Sequence, residues 1–181
     1  MPGTARGWRG SAGFTLVELL IVVSIIGILA AMSMALSAQA RVRADEATTV
    51  AALVAINQAQ FAFAQSCGNL RFTPTLEALA TPVPSTGSGF ISPDLASDPV
   101  VKSGYTIVMA SGPDTEPTQS CNGITTVATY QVTADPVTPG YTGIRYFATN
   151  TERVVFADQA TFAGNMPETG PPAHGSEVVS R

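Results

Sequence analysis

Histidine, cysteine and charge are all scarce in this chain of 181 residues. The single histidine, His174, has no second His and no Cys at ligand spacing, and P-loop, GxSxG and HExxH patterns are missing. Asp94 with Asp98, and Asp114 with Glu116, are the closest acid pairs on loops, but the D-x-[DN]-x-[DN]-G order of a calcium loop is absent. They read as solvated turn acids. No catalytic residue, metal ligand or cofactor is therefore expected, and the chain does not read as an enzyme. Charged residues make up 12% of the sequence, the net charge is −4, and no Lys/Arg cluster follows the first 43 residues. That excludes a broad grip on nucleic-acid phosphates and leaves only a small basic patch formed within an assembly. Tyr105, Tyr130, Tyr141, Tyr146 and the phenylalanines mostly sit at strand or helix spacing, which is core packing rather than a stacking chain.

Helix breakers and charges are also missing where it matters. Phe14 to Leu36 is 23 residues without Pro, Lys, Arg, Asn or Gln. As a helix it spans about 34 Å, enough for a hydrocarbon core of about 30 Å. One residue offends, Glu18, and an ionisable group in such a segment is a functional residue whose partner must be named. Ahead of the run, "MPGTARGWRGSAG" carries Arg6 and Arg9, which favour the cytoplasmic side and send the body of the chain outward. An oxidising compartment makes Cys67 and Cys121 a candidate disulfide, worth about 4 kcal/mol by loop-closure entropy, against the alternative of two separate buried thiols.

An ordinary secretory signal ending in "ALSAQA" at Ala40 is one reading of the start, but its apolar region is too long and contains an acid. A plain membrane anchor explains the length and leaves Glu18 unexplained. The order "GFTLVELLIVVSIIGILAA", Gly13 to Ala31, resembles the class III signal of type IV prepilins and the related pseudopilins of type II secretion. The resemblance implies cleavage by a membrane-embedded prepilin peptidase between Gly13 and Phe14, then N-methylation of Phe14. Scission creates an amine at Phe14, one helical turn from Glu18, and the carboxylate can be neutralised by this amine or by that of the adjacent subunit, which the family resemblance favours. A buried ion pair penalises wrong registers between apolar helices that would otherwise slide, because a charge is left unpaired. Ala35 stands where many type IV pilins carry proline, which puts the usual kink in doubt.

The expected fold is α+β. Residues 1–13 form the leader, 14–36 the membrane and assembly helix, and 37–66 its amphipathic half. Val50, Leu53, Val54, Phe61 and Ala64 share one face there, interrupted at Asn57, with Thr49, Gln58 and Gln65 elsewhere. Gly27 within the span permits close helix approach. Residues 67–103 read as a connecting loop with a short helix at 74–79 capped by Thr73. Residues 104–163 hold about four antiparallel strands, at 104–111, 127–134, 143–149 and 153–158, with a tight hairpin at 149–152. Alternation from Ala128 to Ala134 gives one dry and one wet face. Residues 164–181 read as a loose tail containing His174.

The expected function is structural: a subunit whose Phe14 to Leu36 helices bundle inside an open helical filament. Copies of itself, prepilin peptidase, an inner-membrane assembly platform and, before assembly, the membrane are the implied partners. The precursor is placed in the inner membrane with its head periplasmic, then in an extracellular filament. A type II secretion pseudopilin forming a periplasmic piston is the second reading, and calcium-holding loop acids occur in some relatives. A membrane-anchored binding module is the third.

Overall fold

The computed structural model describes residues 13–179, the side chains of 32–36 excepted, so residues 1–12, which make up all but the last residue of the expected leader, and the last two residues lie outside it. The chain divides into two compact units after Gln39. Helix α1 runs Leu16–Ser66, followed by α2 Leu76–Ala80 and a short 3-10 turn Pro93–Leu95. Six strands follow: β1 Val100–Lys102, β2 Tyr105–Ala110, β3 Gln131–Pro136, β4 Tyr146–Asn150, β5 Val155–Asp158 and β6 Ser176–Val179. They form one antiparallel sheet in sequence order, so every connection joins neighbours. The class is α+β, with six strands rather than about four.

From Ala40 onward the sheet and the end of α1 form a head. The buried positions on α1 recur at helical spacing, through Glu46, Thr49, Leu53, Ile56, Gln60 and Phe63. This stripe differs from the expected one: Phe61 is 44% exposed, while Thr49 is buried. The main core joins Leu53 and Ile56 to Tyr105, Ile107, Tyr130 and Phe147. Arg153 covers the exposed Phe61 ring, its guanidinium carbon 4.4 Å from the ring centre, a cation–π contact that accounts for an aromatic residue outside the core.

Polar residues in this stripe are kept because each has a partner. Asn57 donates to Thr149 Oγ1 at 2.8 Å and accepts from the Tyr130 hydroxyl at 3.0 Å. Gln60 donates to the carbonyl and hydroxyl of Thr73 and accepts from its N–H. Thr73 is thus used by the helix, and the cap of α2 is Thr75, whose hydroxyl accepts from the Ala78 N–H. The expected helix at 74–79 starts two residues later for that reason.

Strand β3 alternates from Gln131, with Val132, Ala134 and Pro136 buried and Gln131, Thr133 and Asp135 partly exposed, but it starts four residues later than expected and Ala128, placed on the dry face, is exposed outside it. Strands β4 and β5 do not. Ala148 and Phe156 form a second cluster with Phe162 and Met166, so the segment after β5 covers the far face of the sheet. Both added strands lie outside the expected sheet: β1 in the connector and β6 in the presumed loose tail. His174 is likewise held, stacked on Phe162 at 4.9 Å and 2.6 Å from Asp158.

Asn57→Ala strands the buried Tyr130 hydroxyl, an expected loss of about 2 kcal/mol, or about 4–8 °C in Tm. Thermal melts of the detergent-solubilised chain check this. Adding Tyr130→Phe should recover part of the loss, since both polar partners are then gone.

Candidate prepilin-processing and assembly site

Gly13, Phe14 and Thr15 have no regular structure, and α1 begins at Leu16. The Thr15 hydroxyl accepts from the Glu18 N–H at 3.2 Å. In return Glu18 Oε2 accepts from the Thr15 N–H at 3.1 Å and from its hydroxyl at 2.9 Å. This is a reciprocal capping box, which satisfies free N–H groups at the helix start. Its signal, Thr-x-x-Glu, stands in the sequence at 15–18, inside the apolar run. The Gly13–Phe14 junction therefore lies on non-helical backbone just ahead of the cap. Phe14 is 77% exposed, and its nitrogen is an uncharged amide as long as that junction is intact. Phe14 and Glu18 share no hydrogen bond among the described residues, and Glu18 Oε1 accepts none there.

Beyond the cap, every large apolar side chain from Leu16 to Leu29 is exposed, from 46% at Val22 to 80% at Leu16. Ser24 turns inward on its own helix and donates to the Leu20 carbonyl at 2.7 Å, so its hydroxyl needs no outside partner. Among the described residues, Ser37–Ser66 is the segment long and apolar enough by itself to cross a membrane, with mean hydropathy 1.3, but half of it is buried. Its buried stripe on the sheet marks it as the core helix of the head. Leu16–Ala31 has no such cover among the described residues and is the surface suited to lipid or to like helices.

A family model, the prokaryotic N-terminal methylation motif, matches residues 8–34. This is a class III prepilin signal. Such signals mark type IV pilins and pseudopilins, a structural rather than enzymatic group, and imply processing by prepilin peptidase. The prepilin signal, with the apolar helix Leu16–Ala31 inside it, fits a membrane-anchored precursor later assembled into a filament. No curated protein and no solved structure matches the chain. The head is thus understood from its own geometry.

Cys67, directly after α1, is joined to Cys121 in the β2–β3 connection. The Cys121 N–H donates to the Cys67 carbonyl at 3.0 Å, and Arg71 pairs with Asp114 of the same connection. Gly68 is tightly enclosed, since a Cβ there would lie 2.3 Å from the Arg71 carbonyl oxygen and 2.5 Å from the Phe63 ring. Three of the four loop acids, Asp94, Asp98 and Asp114, are engaged within the protein rather than merely solvated. Asp94 pairs with Lys102, and Asp98 accepts from the N–H groups of Leu76 and Met109. Burial pushes the Asp98 carboxyl up, against those two hydrogen bonds. Asp114 Oδ1 also accepts from the Glu116 N–H.

Glu46 escaped notice in the sequence, where it is one helical acid among several. Its Oε1 accepts from the N–H groups of Ile144 and Arg145 at 2.9 and 3.2 Å, and Oε2 pairs with the Arg145 guanidinium at 2.8 Å. Only a fold that brings residues 98 apart together reveals it. Burial pushes this carboxyl up, but those hydrogen bonds and the Arg145 charge outweigh burial and hold it below its usual 4.5.

Two outcomes are expected. Cys67→Ser/Cys121→Ser should lower head stability by about 4 kcal/mol, read from urea unfolding with and without reductant on the parent chain. For Glu46, a folded value below the unfolded one means its contribution is full above about pH 4.5 and is lost as pH falls further. Glu46→Gln should flatten the decline in Tm over that acid range, while the parent chain retains the steeper one.

Proposed function

We propose that the chain is the structural subunit of a type IV pilus-like filament, built after prepilin peptidase cuts between Gly13 and Phe14 and the new terminus is methylated. The observation that carries this reading is the uncovered apolar surface of Leu16–Ala31, headed by one carboxylate and lying within the matched methylation motif. Moving such a helix from lipid into a bundle of copies exchanges apolar neighbours for apolar neighbours, so Leu and Ile packing alone sets no unique stagger. Charge does. The cut converts the Phe14 amide into a cation, and Glu18, whose Oε2 serves the cap, keeps Oε1 for the amine of an adjacent copy. A copy out of register leaves both charges unpaired, at several kcal/mol. Arg6 and Arg9 ahead of the span support a cytoplasmic N-terminus and a head on the opposite side.

The retained acid favours a subunit that propagates in long fibres. Shearing the producing cells and weighing the detached protein tests the reading: fibres whose subunits begin at methylated Phe14 are expected. Fibres confined to the periplasm would assign the chain to a secretion pseudopilus instead. Glu18→Ala should leave a stable membrane protein and reduce filament yield more than tenfold; an undiminished yield would refute the register argument.

A further inference from the structure

The disulfide between Cys67 and Cys121 is buried at one end and open at the other. Cys67 is 7% exposed and belongs to an apolar cluster with Ala59, Phe63 and Leu79, against which Val83 and Phe90 pack. Cys121 is exposed. It stands second in the turn 120–123, where the Gly123 N–H donates to the Ser120 carbonyl at 3.1 Å and the Ile124 N–H donates to the Ser120 hydroxyl at 2.9 Å. The tip that displays Cys121 is thus held in place. A cleft of about 430 Å³, walled by Val83, Thr86, Ser88 and Phe90, lies beside the bond and is bordered by both cysteines. That is room for a small molecule or the tip of a peptide loop.

Asn122 adds a direction to this asymmetry. Its Nδ2 donates to the Thr81 carbonyl at 3.0 Å, and its Oδ1 accepts from the Ser120 hydroxyl at 2.7 Å. The same Oδ1 lies 3.5 Å from Cys67 Sγ. With the bond open, a Cys67 thiol has that oxygen as its acceptor, and the apolar cluster around it solvates a thiolate poorly. Cys121 meets water instead. Exchange between thiols and disulfides needs a thiolate, and its rate depends on access and on which sulfur is attacked.

We infer that Cys121 is the entry thiol at which a disulfide-bearing oxidant reacts, from the side of the cleft, and that Cys67 is the resolving thiol that completes the bond. In the first step the Cys121 thiolate attacks the oxidant's disulfide; a mixed disulfide forms and one sulfur of the oxidant leaves as a thiolate. In the second, the Cys67 sulfur attacks Cys121 Sγ, forming the native bond and expelling the other sulfur of the oxidant. One dithiol is oxidised and one disulfide is reduced to two thiols, the two protons passing from the cysteines to the departing sulfurs through water. Reduction of the native bond runs through the same mixed disulfide in reverse. The inference stands on the head alone and does not depend on the filament reading.

The test uses the full chain in detergent, reduced, freed of reductant and mixed with glutathione disulfide. Acid quenching at intervals, alkylation of the remaining thiols and peptide mass mapping then locate the glutathione. Expected is an early adduct on Cys121 that gives way to the native bond. Cys67→Ser should keep that adduct as its end product, whereas Cys121→Ser should react about tenfold more slowly, at Cys67. A second measurement starts from the oxidised chain and so does not depend on the reduced head staying folded: reduced glutathione should be found on Cys121 with Cys67 alkylated, about tenfold in excess of the reverse pattern. Glutathione chiefly on Cys67, or shared evenly between the two, overturns the order in either measurement, as do equal rates for the two variants. Oxidised protein disulfide isomerase in place of glutathione disulfide separates the sources of the oxidant. A Cys121 adduct with both admits small disulfides, an adduct with the isomerase alone assigns a protein oxidant, and each supports Cys121 as the entry.

Discussion

The contact between the buried stripe of α1 and the sheet carries the head. Leu53, Ile56 and Phe63 supply the apolar area, and Asn57 and Gln60 supply directional bonds within it. Apolar contact alone would tolerate rotation of the helix or a slide by one turn. The Asn57 amide, reaching Thr149 on β4 and Tyr130 just before β3, and the Gln60 amide, reaching Thr73, permit one rotation and one height, since any other strands buried polar groups. The disulfide at Cys67 and the Arg71 pair with Asp114 then hold the β2–β3 connection to the end of the same helix.

At the other end of α1 the requirement is reversed. From Leu16 to Ala31 the helix presents apolar side chains all round and satisfies its polar groups locally: Ser24 on Leu20, and Thr15 with Glu18. The capping box gives Glu18 a task before any assembly, because it closes the start of the helix in the single chain. One carboxylate oxygen is engaged in this and one is not, so terminating the helix and pairing with a neighbouring amine do not compete for the same atom.

Much of this was legible along the chain. The apolar run, its lone acid and the order of residues around Gly13 stand in consecutive positions, and the period of β3 is visible in Gln131 to Pro136. Less legible was whatever depends on what covers what. The outer face of β4 and β5 looked open until the chain after β5 folded back with Phe162 and Met166. β6 was hidden because Ser176–Val179 is short, mostly exposed and follows a Pro/Gly-rich stretch, so only its neighbour β5 makes it a strand. Phe61 was assigned to the core by hydrophobicity, whereas Arg153 offers it a ring contact outside.

Local order alone determined the prepilin signal, the helix that follows and the α+β class, because cleavage motifs, helix caps and strand alternation are written in residues close together in the chain. Only the tertiary structure decided the six-stranded order, the clamp of Glu46 on Ile144 and Arg145, and the burial of Cys67 beside an exposed Cys121. Those depend on which distant residues share a desolvated space, where a carboxylate becomes a fastening only once two N–H groups and a guanidinium are brought to it.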